Sequence, residues 1–181
     1  MSIVLNSIAA HPLFAGEEQL LARDTTTSAA KTLGLTEISL RSLLIPAGTW
    51  RDGEIIRLRW SFHNVDVATY GQVVTQQLRI GPNGAGANIQ NDTQISTASA
   101  RPNTTEVGGH YIFEIMKTAA TKIRPITALI IAPYSQNTST TYGGFEITVP
   151  NMDTASQYLS VSATAAAAED CYVTFFEAVK R

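Results

Sequence analysis

From about residue 36 onward, the sequence alternates apolar and polar residues with a period of two. The clearest run is EIIRLRWSF, residues 54–62, whose apolar members are Ile56, Leu58, Trp60 and Phe62. Because successive side chains of a β-strand point to opposite faces, this pattern predicts a strand with one buried and one solvated face. The apolar residues of an amphipathic helix would recur about every 3.6 residues, so most of the chain is predicted not to be helical.

Further runs follow the same rule and are separated by turns rich in Gly, Pro, Asn and Asp. They are TEISLRSLLIP, QVVTQQLRI, HYIFEIM, GFEITVP, QYLSVSAT and CYVTFFEAV. Several short alternating strands joined by such turns predict an all-β, antiparallel β-sandwich, and about eight of them fit a jelly roll. Between the first two runs, Pro-Ala-Gly at 46–48 and Arg-Asp-Gly at 51–53 predict a reversal of the chain.

The alternation also assigns side chains to faces. It groups Ile38 and Leu40 on a buried face, with Leu44 as a further candidate. In the last run it turns Tyr172 and Phe176 outward. The members predicted to point inward are Cys171, Val173 and Phe175 in that run, and Phe145, Ile147 and Val149 in GFEITVP. The only cysteine of the chain is therefore predicted to be a buried structural thiol.

The first 35 or so residues do not show this period. HPLFAGEEQLLARD gathers Leu13, Phe14, Leu20 and Leu21 at about helical spacing and predicts one or two turns of helix. The small polar segment TTTSAAKTLG that follows is typical of a linker or an extended arm. We therefore divide the chain into an N-terminal arm, residues 1–35, and a sandwich domain, residues 36–181. With so few anchors, the arm is expected to dock on another molecule.

One run, ITALIIAP at residues 126–133, is apolar on both faces. A sandwich strand turns only one face to its own core, so the second face needs a cover from a loop or from a neighbouring subunit. We predict a homo-oligomer. The side chains predicted to form its interface are Ile126, Ala128, Leu129, Ile130, Ile131, Tyr172 and Phe176.

The charge and hydropathy of the chain argue against two kinds of partner. Charged residues make up 15% of the chain, and 13 basic against 15 acidic residues give a net charge of −2. A nucleic-acid partner is therefore not expected. No stretch of the sequence reaches the roughly 20 consecutive apolar residues that cross a bilayer, so membrane insertion is not expected either.

The residues that carry chemistry in other proteins are present here without the spacing that such chemistry needs. The three histidines, His11, His63 and His110, lie far apart and lack the patterns that bring metal ligands to one face. No Gly-x-Ser-x-Gly sequence offers a seat for a serine nucleophile, and GPNGAGAN lacks the Lys-Ser/Thr of a phosphate loop. We expect no catalytic residue, no metal site and no cofactor.

A binding site remains open. Trp50 lies in the turn between the first two predicted strands, where we expect its ring to stay outside the core. Tyr134 and Tyr142 flank a polar segment that contains Asn137. Aromatic rings beside amide and hydroxyl groups suit sugars, which offer apolar C–H faces and polar rims. The alternative is that these rings fill a subunit interface or cap the end of the sandwich.

Two segments resemble a known family. LLIPAGTW…DGEIIRLRWSFHN, within residues 36–62, resembles the beginning of a jelly-roll domain found at the ends of bacteriophage tail-fibre, head-fibre and related virion proteins. VPNMDTASQYLSVSATAAAAEDCYVTFFEAV, within residues 145–179, is similar to the closing hairpin of that domain, with an Asp-containing turn and a last alternating strand that bears a Glu. The middle of the chain does not match.

The resemblance implies a trimeric jelly roll on the surface of a phage or phage-like particle, made in the cytoplasm of the host bacterium. Its N-terminal arm would attach to another virion protein, and the family offers no catalytic residues. The main hypothesis is thus a non-enzymatic head fibre, spike or capsid decoration protein. The second hypothesis is a tail-associated module that binds a receptor or a glycan of the host.

Overall fold

The computed structural model describes residues 18–65, 74–84, 86, 88–100, 106–131, 139–141, 145–166 and 169–181. These residues form twelve strands and one 3-10 helix, Ile89–Asn91. The strands are β1 (Gln19–Asp24), β2 (Lys31–Leu33), β3 (Ile38–Ile45), β4 (Ile55–Val65), β5 (Val74–Gly81), β6 (Thr93–Ala100), β7 (Glu106–Ala119), β8 (Lys122–Ile131), β9 (Ser139–Thr141), β10 (Ile147–Thr148), β11 (Gln157–Ala165) and β12 (Glu169–Lys180).

The strands form two antiparallel sheets, which confirms the predicted β-sandwich of jelly-roll type. The larger sheet has seven strands in the order β1-β12-β4-β7-β8-β10, with β2 pairing a further part of β12. The smaller sheet has five strands in the order β3-β11-β5-β6-β9. The chain passes from one sheet to the other between β3 and β4 and again between β11 and β12, so the core lies between strands distant in sequence.

The strands that line the core carry the side chains that the alternation predicts. Ile56, Leu58, Trp60 and Phe62 of β4 are at most 4% exposed. Three apolar residues of β11 in the facing sheet are completely buried; they are Leu159, Val161 and Ala163. Apolar area removed from water stabilises a fold by about 25 cal/mol per Å², so these two strands anchor the core. Cys171 is a buried thiol, as predicted.

β12 departs from the prediction because a β-bulge interrupts its alternation. Val173 pairs with Phe62 and Phe175 pairs with Ser61, so Thr174 is an extra residue in β12. An extra residue shifts every later side chain to the opposite face. Phe176 is consequently fully buried and Phe175 is not, so the predicted outward position of Phe176 and inward position of Phe175 are both wrong.

A second bulge explains the misplacement of Leu44. In the pairing of β3 with β11, Val161 meets Arg41 and Ser162 meets Ser39, which leaves Leu40 as the extra residue. The buried residues of β3 after the bulge are Leu43 and Ile45, whereas Leu44 is 46% exposed. Phe145 is also misplaced. β10 covers only residues 147–148, and Phe145 before it is 82% exposed.

The part of the predicted arm that the structure describes belongs to the larger sheet. Residues 19–24 form a strand, not a helix, because they pair with Phe176–Lys180 of β12. Leu21 and Ala22 pack against the core, whereas Leu20 is 42% exposed; Leu21 is the extra residue of a bulge in this pairing. β2 pairs with the beginning of β12 and buries Leu33. Leu13 and Phe14 lie outside the described residues.

Asp92 organises the loop between β5 and β6. Its carboxylate accepts hydrogen bonds from the backbone N–H and side-chain amide of Asn83, at 3.2 and 2.7 Å, and from the backbone N–H of Gly84 at 3.2 Å. Gly84 has a φ of +53°, and a Cβ at that position would lie 2.6 Å from the ring of Tyr158. β6 begins directly after Asp92.

A polar side chain in the core joins the two sheets. Gln76 of β5 is 2% exposed; its carbonyl accepts from Trp60 Nε1 at 3.3 Å, and its amide donates to the hydroxyl of Tyr111 at 2.6 Å. The rings of Trp60 and Tyr111 stack with centroids 5.1 Å apart. Burial raises the pKa of Tyr111 above its ordinary value of 10.0, although the bond to Gln76 opposes this. The network fixes the register of one sheet against the other.

Replacing Gln76 by Leu should lower the free energy of unfolding by about 2 kcal/mol, because it leaves the buried indole N–H and phenol O–H without partners. Equilibrium denaturation in urea measures this loss. Gln94→Leu is the matched control, since Gln94 is exposed on β6, and its effect should stay within about 0.5 kcal/mol. Equal stability of the Gln76→Leu variant and the wild type would show that the network does not stabilise the fold.

Candidate functional site

Trp50, the first residue of the predicted binding site, lies in the core. It is 1% exposed, and its indole N–H donates to the backbone carbonyl of Glu54 at 2.9 Å. The prediction that its ring is available to a sugar is therefore wrong. The turn folds back over the end of the sandwich, where the ring removes more apolar area from water than it would outside. Tyr134, Asn137 and Tyr142 lie outside the described residues.

The turn that buries Trp50 closes over a buried lysine. Lys117 of β7 is 1% exposed, and its ammonium donates to the backbone carbonyl of Trp50 at 2.8 Å. The same ammonium contacts a carboxylate oxygen of Asp52 at 3.1 Å and one of Asp153. Asp52 belongs to the β3–β4 turn and Asp153 to the segment before β11. One side chain thus joins three parts of the chain.

The ammonium of Lys117 is held in its charged form. Burial alone would favour the neutral amine, but the hydrogen bonds and negative charges of Asp153 and Asp52 outweigh it and raise the pKa of Lys117 above its ordinary value of 10.5. The sequence carries a signal for this position: Lys117 continues the series Phe113, Ile115 on the apolar face of its strand. A charged residue at an inward position predicts a buried charge with dedicated partners.

The outer face of the larger sheet carries a chain of ion pairs at one end. Arg57 binds Glu114 at 2.8 Å and also contacts Glu18, which precedes β1. Arg59 lies between Glu18, at 3.4 Å, and Glu177, at 3.3 Å. The sequence suggests that Arg57 and Arg59 form a solvated stripe; instead, acidic side chains of three other segments neutralise them. Glu177 is only 5% exposed, so the guanidinium of Arg59 supplies a partner that its buried carboxylate needs.

The other end of the same outer face is aromatic and carries two histidines. The hydroxyl of Ser61 lies 3.2 Å from Nε2 of His63 and 3.1 Å from Nδ1 of His110. The ring of His63 stacks on Tyr172, with centroids 5.0 Å apart and an interplanar angle of 8°. The ring centroids of Phe175 and His110 lie 6.4 Å apart. Tyr172 is half-buried here, and the bulge in β12 brings Phe175 to this face in place of Phe176.

β8 ends the larger sheet with an open edge. β10 pairs only with Lys122 and Ile123, and within the described ranges no strand pairs with residues 124–131 on that side. Pro125 and Arg124 interrupt the beginning of this edge, as proline and charge do in edge strands. Residues 126–131, ITALII, contain no charge and no proline. An apolar strand edge without such protection is a surface that pairs with another chain.

Of the residues predicted to form an interface, β8 contributes five and places one of them at the surface. Ile126 is 41% exposed and is the extra residue of a bulge, because Glu114 pairs with Thr127 and Ile115 with Pro125. Ala128, Leu129, Ile130 and Ile131 have a described backbone in β8, while their side chains lie outside the described set. Leu129 pairs with Ile112, and Ile131 pairs with His110, beside the aromatic end. Phe176 is excluded by its burial.

Neither a metal site nor a membrane-spanning helix is found in the described ranges. No group of three or more His, Cys, Asp or Glu side chains among them is arranged to hold a metal ion. Within the same ranges, no helix has the length and hydropathy needed to span a bilayer.

The chain was compared with known proteins. No protein-family model and no curated protein sequence matches it. The carbohydrate recognition domain of Emp46p, in its potassium-bound form, is similar, with 11% identity over 84% of this chain and 87% of that chain and a TM-score of 0.42. Peanut lectin with a 9mer peptide shows 9% identity over 92% and 98%, with a TM-score of 0.41.

An enzyme is among the similar structures as well. An endo-1,3-beta-glucanase from Streptomyces sioyaensis shows 12% identity over 96% of this chain and 99% of that chain, with a TM-score of 0.39. The set therefore contains both carbohydrate-recognising proteins and an enzyme, and these likenesses concern the β-sandwich arrangement alone.

Replacing Lys117 by Met should lower the free energy of unfolding by about 2 kcal/mol at pH 8, because it removes the charged hydrogen bonds that hold two turns. Since the folded state raises the pKa of Lys117, this stabilisation is complete below the ordinary value of 10.5 and is lost as the pH rises through the folded value. The difference between wild type and variant in urea denaturation should therefore shrink above that pH.

The control for this experiment is Lys122→Met, at the neighbouring turn, where the ammonium donates to the exposed hydroxyl of Thr148. It should change the free energy of unfolding by less than about 0.5 kcal/mol. A wild-type advantage over Lys117→Met that stays constant from pH 8 to pH 11 would contradict a charged Lys117.

Proposed function

We propose that this chain is a non-enzymatic structural protein of a bacteriophage or a phage-like particle, either a head fibre or spike or a capsid decoration protein. It assembles as a homotrimer on the virion surface. The residues before β1, which include Leu13 and Phe14, attach it to another virion protein, and the sandwich points outward. In this function the chain needs neither a cofactor nor a catalytic residue.

The observation that supports this proposal most is the way the two family-like segments meet. Residues 36–62 contain β3 and β4, and residues 145–179 contain β11 and nearly all of β12. β3 pairs with β11 in the smaller sheet, and β4 pairs with β12 in the larger sheet. Segments more than eighty residues apart in sequence thus form one contiguous half of the sandwich, as a shared domain architecture requires.

The turns of the two segments are also in direct contact. The backbone N–H of Gly48 donates to the carbonyl of Met152 at 3.0 Å, and that of Ala47 donates to the hydroxyl of Ser156 at 3.1 Å. The ammonium of Lys117 pairs with one carboxylate from each segment, that of Asp52 and that of Asp153. The motif Pro-Ala-Gly-Thr-Trp and the Asp-containing turn, which carry the resemblance, therefore form one structural unit.

The open edge of β8 supports the trimer. Backbone N–H and C=O groups at a strand edge need partners, and an apolar, uncharged edge finds them most readily in another chain. A closed ring of identical subunits satisfies each edge without leaving a free one, which separates a trimer from an open filament. Ile126 and the segment that follows it provide the apolar contact.

Light scattering coupled to size exclusion tests the assembly. We expect the wild type to have about three times the 19.5 kDa mass of one chain. Ile126→Lys introduces a charge at the open edge and should lower the mass toward that of one chain, because a desolvated, unpaired charge opposes association. Leu44→Lys is the matched control: Leu44 is similarly exposed, at 46%, but lies on the smaller sheet.

The two variants keep the experiment interpretable. Both should retain the β-rich circular dichroism spectrum and the melting temperature of the folded chain, so a loss of mass in Ile126→Lys reports association. A monomeric wild type at micromolar concentration would contradict the trimer. An Ile126→Lys variant with the full trimer mass would move the interface away from β8.

The second candidate function is attachment to a glycan on the host surface through residues 133–144. What favours it is the composition of this segment, in which two tyrosines flank amide and hydroxyl side chains of the kind that suit a sugar. The site would consist of Tyr134, Asn137 and Tyr142, without Trp50. Glycan-array binding that is lost in Tyr142→Ala would favour it, and a wild type that binds no glycan would end it.

A further inference from the structure

A groove of about 480 Å³ opens where β2 and β3 meet the loop between β5 and β6. β2 contributes Lys31 and Thr32 to its wall, the β2–β3 connection contributes Thr36, and β3 contributes Ile38 and Ser39. Gly86 of the β5–β6 loop closes the opposite side. The volume lies in the range of about 300–1,000 Å³ that is usual for small-molecule sites.

Lys31 is the only basic side chain that lines this groove, and no acidic side chain of the described residues forms an ion pair with it. Its ammonium donates to the backbone carbonyl of Ser39 at 2.5 Å. Burial, and then the nearby positive charge of Arg41, lower the pKa of Lys31 below its ordinary value of 10.5. Arg41 itself is paired with Asp24, at 2.7 Å. Among the described side chains, no carboxylate forms an ion pair with this cation of the groove.

The one carboxylate on the wall is already occupied. Glu37 accepts from Arg79 through both oxygens, at 2.5 Å from Nε and 2.7 Å from Nη2, and also from the hydroxyl of Ser162. Arg79 donates further to the side chain of Gln77 and to the backbone carbonyl of Asp92, at 2.6 Å each. Because both oxygens of Glu37 are bound to Arg79, Glu37 does not neutralise Lys31. For the same reason, the negative charge of Glu37 repels an incoming anion only weakly.

The remaining wall suits a hydroxylated ring. Thr36 is exposed, and its hydroxyl has no hydrogen-bond partner in the part of the chain that the structure describes. Thr32 donates to Asp170 at 2.6 Å and leaves its oxygen lone pairs available to accept. Ile38 is half-buried and offers an apolar surface to C–H groups. A free anion such as acetate would use only the ammonium and leave the hydroxyls and the apolar surface unused.

We propose that this groove binds a monosaccharide unit that bears a carboxylate, such as a uronic acid. The carboxylate pairs with the ammonium of Lys31, the ring hydroxyls bond to Thr36 and Thr32, and the C–H face of the ring packs on Ile38. This inference is independent of the proposed assembly, because the groove lies on β2 and β3, away from the open edge of β8. A monomeric chain would bind the sugar equally well.

The test is a titration of the folded full-length chain with D-glucuronate, followed by amide chemical shifts in NMR spectra. D-glucose, the methyl ester of glucuronate and acetate serve as comparison ligands, because each lacks either the charge or the ring. We expect saturable shifts of Lys31, Thr36 and Ser39 with glucuronate. Glucose and the methyl ester should bind at least about tenfold more weakly, since a charged hydrogen bond carries that much discrimination or more. Acetate should also bind more weakly, because it keeps the charge but makes no contact with the two threonine hydroxyls or with Ile38.

Variants assign the contacts. Lys31→Gln should weaken glucuronate binding at least about tenfold, and Thr36→Val about threefold, since its hydroxyl makes one neutral bond. Lys122→Gln, which removes a lysine remote from the groove, should bind like the wild type. Melting temperatures confirm folding, and Thr36→Val keeps the test valid if Lys31→Gln is unstable, because Thr36 has no described partner to lose.

Any one of the following results would overturn the proposal. They are the absence of saturable glucuronate binding, equal affinity of the wild type for glucose and glucuronate, and undiminished binding by both Lys31→Gln and Thr36→Val. Equal affinity for acetate and glucuronate would likewise reduce the groove to a simple anion contact and reject the sugar. None of these results changes the mass measured by light scattering, so the two proposals stand or fall separately.

Discussion

The buried ammonium of Lys117 is the interaction on which the end of the sandwich depends. A charge that is taken out of water must be paired or its burial opposes folding. Lys117 finds its partners in the turn that follows β3 and in the segment that precedes β11. Both turns must therefore come to β7, and Trp50 is carried into the core with the first of them. The pairings of β3 with β11 and of β4 with β12 begin from this point.

The two sheets are held together by a different device. Gln76 bridges Trp60 and Tyr111 across the core, and the stacked rings surround it with apolar surface. Apolar packing tolerates small shifts of one sheet over another, whereas a buried amide with two partners permits only one arrangement. The core thus combines a non-directional driving force with one directional constraint.

Some charged and polar groups of the surface are paired within the chain, and others are not. The charged end of the larger sheet is neutralised within the chain, and so is the pair of Glu37 and Arg79 on the smaller sheet. In the described residues, the uncharged edge of β8 has no neighbouring strand beyond residue 123, and the ammonium of Lys31 has no ion-pair partner. The first calls for a backbone partner and the second for an anion. The edge of β8 and the groove around Lys31 lie on different parts of the molecule, so the proposed assembly and the proposed ligand binding do not compete.

The sequence by itself determined the fold class, the inward faces of β4 and β11 and the buried thiol of Cys171, because a period of two can be satisfied only by strands with one dry face. Lys117 and Gln76 interrupt apolar series in their strands, but their partners cannot be read from the sequence. Only the tertiary structure decided that Trp50 is buried, that Phe176 points inward and Phe175 outward, and that residues 19–33 join the sheet. A bulge depends on the partner strand. The position of the turn that carries Trp50 depends on the buried charge of Lys117, and β1 pairs with β12, about 150 residues further along the chain. None of these partners can be read from local sequence, since the energy that selects them arises only when distant segments meet.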